Sequence, residues 1–312
     1  MKLFFALALL LSVLVGCDKS QSDSSGNNPN VTSNNENLAV ERPSSSLPKA
    51  CFTKSELQQK VGLVMGSMYS VISSLPRFVI YKFQDYKATN EDERWRLGFE
   101  VNTSNPPNLT LEASGRLCGT ELSEDAVLLI LCHEVGHVAG GAPYRRFNYS
   151  DIPFSTESAA DFFATSVCMP AVLKNQDNSN FIKQFESNPN IRSVCKNEEN
   201  DSGKALCARI ALASLTLSQQ QYNTYETPSE DKNPGPPPSL NATSNINRKV
   251  IKPSFVEDMH SKPQCRLDTY LAGLQCRSSD SLSYSLSRNS DIQTMCGISI
   301  KDVKRPDCIV VE

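Results

Sequence analysis

The sequence predicts an α+β domain in which helices stand beside a small sheet, followed by a disulfide-stapled C-terminal extension. Three observations lead there. Apolar residues recur at helical spacing in four segments, and short β-rich runs lie between the first two. Four cysteines (Cys265, Cys276, Cys296 and Cys308) fall in the last stretch, 250–312. The chain has 312 residues, 39% of them hydrophobic, enough to bury the core of one large domain or two small ones.

The first helix is expected over Ser55 to Ser73, where Leu57, Val61, Val64, Met65, Met68 and Ile72 keep helical spacing. Strands are expected over Arg77 to Tyr86, Trp95 to Val101 and Leu109 to Ala113. The next helix runs from Glu121 to Val138. Ser123 is placed to cap it, Glu124 and Asp125 suit the positive end of its dipole, and Gly140-Gly141 ends it. Thr156 to Leu173 and Lys204 to Gln221 complete the helical set. The stretch 227–249 contains Pro234-Gly235-Pro236-Pro237-Pro238 and reads as a proline-rich loop. The main folded domain is therefore expected over 50–226, with 250–312 as a Cys-rich C-terminal part that completes it.

The N-terminus carries a targeting signal. Lys2 precedes an apolar run, Leu3 to Val15, too short to span a bilayer comfortably. It ends Leu14-Val15-Gly16-Cys17, which resembles the lipobox of bacterial lipoproteins. That likeness implies a signal peptide over 1–16, lipidation of Cys17, and attachment to the membrane of the cell envelope through the N-terminal lipid. Residues 17–49 are rich in Ser and Asn and lack apolar periodicity, so a disordered tether is expected. Of 11 cysteines, ten remain after Cys17, which fits up to five disulfides in an oxidising compartment. A bridge between Cys132 and Cys168 would pin two helices together, though separate partners are equally compatible with the sequence. A net charge of −3 and the lack of a Lys/Arg block exclude a nucleic-acid-binding reading.

The chemistry centres on His133-Glu134-Val135-Gly136-His137. Positions 133 and 137 are one helical turn apart on one face, so both imidazoles converge on a single ion. Glu134 aims a carboxylate at water on that ion. This is the geometry of the zincin motif. Catalytic zinc takes three protein ligands and one water. The metzincin pattern supplies its third ligand six residues past the second His, but position 143 here is Pro. Glu157, in Glu157-Ser158-Ala159-Ala160-Asp161 at the start of the next helix, is the better third ligand. Asp161, one turn further, is expected to accept a ring N–H from a ligand His and fix its tautomer. One Zn2+ per chain follows.

HEVGH followed by ESAAD resembles the gluzincin peptidases that include the CAAX prenyl endopeptidases and the HtpX-type bacterial membrane proteases. The stretch Asn108 to Leu117, then Leu122 to Asp125, is similar to that family's strand, Gly turn and entry into the active-site helix. In the family this strand is the edge on which substrate pairs as an added strand. The resemblance implies that His260 stabilises the oxyanion and that Arg266, six residues on, orients it; position 261 is Ser where the family has Pro. Unlike that family, the sequence carries no transmembrane helices around the motif. The expected function is zinc-dependent endopeptidase action on proteins or peptides at the bacterial envelope. The alternative is a non-catalytic zinc-site lipoprotein acting as an envelope binding or assembly factor.

Overall fold

The computed structural model describes residues 54–73, 78–83, 96–102, 108–114, 122–140, 144–147, 150–223, 236–241 and 262–276. Cys17, the expected signal peptide 1–16, the tether 17–49 and His260 lie outside the described residues, as does most of 227–249 and of 250–312.

Two helices, α1 (Lys54–Ser67) and α2 (Tyr69–Ser73), come first. Three runs then pair along their backbones: β1 (Phe78–Phe83), β2 (Arg96–Asn102) and β3 (Asn108–Ser114), in the order β1-β3-β2. The β1–β3 pair is parallel and the β2–β3 pair antiparallel, so β3 is central. The edge position that the resemblance implied for β3 is therefore corrected. Next come α3 (Glu124–Ala139), an antiparallel pair β4 (Tyr144–Phe147) and β5 (Ser150–Ser155), and α4 (Glu157–Phe163). From α4 the chain continues through a π-helical turn, Ala164–Cys168, into α5 (Met169–Leu173). Two short helices, α6 (Ile182–Ser187) and α7 (Pro189–Val194), lead to the long α8 (Asp201–Asn223), and α9 (Pro263–Gln275) packs back on α4 and α8.

The expected α+β class is corrected by this arrangement: the protein is mainly helical. Among the residues with described side chains, the buried core comes from helices and their immediate flanks, and no strand residue joins it. The reason is volume. Helices α6, α7 and α9 fold in segments where no helix was expected, and with α3 and α8 they enclose the apolar interior without a sheet layer.

Each helix has a local cause. Leu57, Val61, Val64 and Met68 share one face of α1–α2 and are buried, which turns that stripe onto α3 and α5. Ser123 Oγ accepts from the Ala126 N–H at 3.1 Å and caps α3. Asn188 caps α7 through the N–H groups of Asn190 and Ile191, with Pro189 in its first turn. The π-turn stands immediately before Pro170. Proline lacks an N–H, and its ring crowds the carbonyl four residues back. A wider turn, with the Met169 N–H reaching back to the Ala164 carbonyl, opens that contact.

Candidate metal centre

Helix α3 is buried on almost every side, so the His-Glu-x-x-His run lies in the interior. Its approach to α4 depends on two glycines. A Cβ on Gly136 would lie 2.7 Å from both the Cα and the carbonyl oxygen of Ala160. A Cβ on Gly140 would lie 3.0 Å from the Ala159 oxygen. The two helices therefore touch backbone to backbone. Thr156 Oγ1 caps α4 through the Ala159 N–H at 3.4 Å, which sets Glu157 in the first turn and Asp161 one turn on.

Three donor atoms converge across that contact. His133 Nε2 is 3.1 Å from Glu157 Oε2, and His137 Nε2 is 3.5 Å from Glu157 Oε1. The ligand atoms of His133, His137 and Glu157 all lie within 4.8 Å of one another, and all three residues are buried. Tetrahedral donors at about 2.0–2.2 Å from a zinc ion stand roughly 3.4 Å apart. The spacing and the donor types fit a divalent metal ion, and this buried trio could hold one.

The other ring nitrogens are taken. His137 Nδ1 is 3.0 Å from the Ser155 carbonyl oxygen, and His133 Nδ1 is 2.7 Å from Asp161 Oδ1. Each Nδ1–H donates outward, which leaves an Nε2 lone pair turned to the centre. Asp161 is itself gripped by Arg266, which donates from Nη2 to Oδ1 at 2.6 Å and from Nε to Oδ2 at 2.9 Å. Arg266 Nη2 also donates to the Tyr270 hydroxyl at 3.1 Å. That nitrogen is 3.3 Å from His133 Nδ1, but both atoms carry hydrogens there, so Asp161 Oδ1 serves them both.

The electrostatics ask for a cation. Ionised, Glu134, Glu157 and Asp161 outweigh the one guanidinium of Arg266 by two negative charges, which a divalent ion balances. Without a metal, His133 fills part of that role. Burial alone would lower its pKa, but Asp161 and Glu157 raise it to about 9. For Asp161, burial works upward and is overcome by Arg266 and His133, which hold the carboxyl at about 2. Burial is the main influence on Glu134 and pushes it up to about 7, against the pull of His133. Burial also raises the Tyr270 phenol well above its usual value.

The structure thus brings together His133, Glu134, His137, Glu157, Asp161 and Arg266, while His260 and Cys17 fall outside the described residues. Arg266 is placed against Asp161, whereas the resemblance had it orient His260. The chain matches no family profile, no curated protein and no solved structure in comparison with known proteins. The candidate centre rests on its geometry alone. Two partners escaped the sequence reading. Tyr270 lies in no motif, though its place one turn after Arg266 is a readable signal. The Ser155 carbonyl is backbone and leaves no mark in the sequence. Cys132 and Cys168 are bridged to each other, as are Cys195 and Cys207.

Proposed function

We propose that the protein is a zinc-dependent endopeptidase that cuts proteins or peptides at the bacterial cell envelope. The observation that carries this reading is the convergence of two imidazoles and one carboxylate, their ligand atoms all within 4.8 Å of one another, with Glu134 next to the first histidine. Zinc is favoured over other divalent ions by the mixed nitrogen and oxygen donor set and its low ligand number. Held there, it supplies Lewis acidity to a carbonyl and to water.

The chain's own residues do the rest. Glu134, whose carboxyl burial pushes up to about 7 in the metal-free site, takes as carboxylate the proton of the attacking water and returns it to the leaving amine. Asp161 and Arg266 keep the His133 ring in one tautomer and one orientation while charge develops. His260 is assigned to the oxyanion by family resemblance. Cys17 carries the lipid that tethers the enzyme in this reading; among the described residues no helix is long and apolar enough to cross a membrane.

A second reading, a metal-holding binding or assembly factor that does not cut, draws on how closed the site is: His133 and His137 are each 5% exposed. Glu134→Gln separates the two. On an unstructured protein such as casein, the unaltered chain is expected to cut and Glu134→Gln to retain zinc while losing activity at least about a hundredfold. Equal cutting by both proteins rejects the role of Glu134, and zinc binding without cutting by either favours the binding factor.

A further inference from the structure

The HEVGH helix and the Glu157 helix are joined by one covalent bond, and that bond leaves α3 from the residue directly before a metal-site histidine. Cys132 and Cys168 stand with Cα atoms 5.6 Å apart, both fully buried. The bridge continues a contact line along α3. Gly140 meets Ala159, Gly136 meets Ala160, and Cys132 meets Cys168, at intervals of four residues on α3. That order makes the two helices antiparallel, with the bridge at the far end of the line from the α4 cap.

A regular helix would not put Cys168 there. It follows Ala160 by eight residues, which in an α-helix turns it about 80° away from the face that meets α3. The π-turn over Ala164–Cys168 takes up about one residue, which brings position 168 back to within roughly 20° of the Ala160 face. Thr165 Oγ1 donates to the Tyr270 carbonyl at 2.7 Å, so α9 fastens this turn from the other side. The widened turn, the bridge and the metal site therefore belong to one interface.

We propose that Cys132 and Cys168 are positioning residues of the metal centre: their bridge fixes the histidine helix against the Glu157 helix and so makes metal affinity depend on thiol oxidation. The inference rests on the metal reading above. Bridge formation is a thiol–disulfide exchange in which the two thiols transfer two electrons and two protons to a disulfide oxidant, leaving one Cys132–Cys168 bond and two reduced thiols on the oxidant. In a reducing compartment the ligand helices lack this tie, so the centre matures where disulfides form.

The test measures zinc affinity by competition with a chromophoric chelator. The double variant Cys132→Ala/Cys168→Ala is expected to bind zinc roughly 10- to 100-fold more weakly, the scale seen when support around metal ligands is lost. The control Cys195→Ala/Cys207→Ala, which removes the bridge between α8 and the end of α7, keeps its zinc affinity. Unchanged affinity in the first variant, or equal loss in both, overturns the proposal. A second measurement needs no variant. Because linkage is reciprocal, bound zinc must favour the bridge by the factor by which the bridge favours zinc. In a glutathione redox buffer with free zinc held constant, alkylation and mass spectrometry are expected to show zinc protecting Cys132–Cys168 more than Cys195–Cys207. Equal protection of both bridges, or none, overturns the proposal. If the unaltered oxidised chain binds no zinc at all, the metal reading itself fails and this inference with it.

Discussion

Two arginine–aspartate pairs in this protein have almost the same geometry and different consequences. Arg209 donates to Asp125 from Nε at 2.9 Å and from Nη2 at 2.7 Å. Arg266 donates to Asp161 from Nε at 2.9 Å and from Nη2 at 2.6 Å. The first pair ties the start of α3 to α8 and ends on Asn178, a neutral amide. Its side chains keep 13% and 14% of their surface exposed. The second is exposed only 5% and 2%, and it ends on His133, a residue of the candidate metal centre. One fork is a fastener between helices. The other transmits its orientation to an imidazole and is itself held by Tyr270. The fork geometry is shared, so what the pair touches next decides the role: a neutral amide on the arginine side of one, an imidazole on the carboxylate side of the other.

Breaking the two forks gives the largest contrast. Arg266→Ala strands Asp161 and Glu157 without their cation and is expected to cost about 3–5 kcal/mol in the metal-free protein. Arg209→Ala leaves its aspartate near water and is expected to cost about 1–3 kcal/mol. Urea unfolding of the two variants checks this, and equal losses would erase the distinction. Changing the carboxylates sharpens it. Asp161→Asn is expected to weaken zinc binding roughly 10- to 100-fold, whereas Asp125→Asn leaves it unchanged. Calorimetric titration reads both values.

Acidity probes the same inequality. The raised pKa of His133 stabilises the metal-free fold fully below about 6.5, and this contribution is lost as pH rises through about 9. The lowered pKa of Asp161 acts the other way: its contribution is present above about 3.8 and is lost as pH falls through about 2. A zinc ion held there would displace the His133 proton, so its affinity is expected to climb with pH up to about 9, with at least about one proton released per ion at neutral pH, from His133 and in part from Glu134. Titrations in buffers of different ionisation enthalpy count that proton, and a count of zero contradicts the assignment. The smallest effect belongs to a third pair, Lys60 with Glu124, whose carboxylate side is 70% exposed. Lys60→Ala is expected to change stability by less than about 1 kcal/mol and zinc binding not at all.

The cluster of His133, His137 and Glu157 was far more legible in the sequence than the fold. Histidines four apart on a helix share a face whatever surrounds them, so His133 and His137 follow from spacing. Glu157 and Asp161 repeat that spacing just after a threonine cap. Arg266 is different. It meets Asp161 across 105 residues of chain, and only the family resemblance pointed to it. The class was misread because short helices with weak apolar patterns, such as α6 and α7, take their stability from packing against α8, which local periodicity does not report. The π-turn left a signal that went unused: Pro170 inside an otherwise helical run demands a change of geometry just before it. The partner of Cys132 was beyond the sequence, because pairing among ten cysteines is decided by tertiary contact.

The most direct measurement is zinc content of the purified chain beside its Glu157→Ala variant, with circular dichroism to show that both remain helical. About one zinc per chain is expected in the unaltered protein, falling to a small fraction of that in the variant. A variant that keeps its zinc at full occupancy, or an unaltered protein that takes up none, contradicts a centre built from His133, His137 and Glu157.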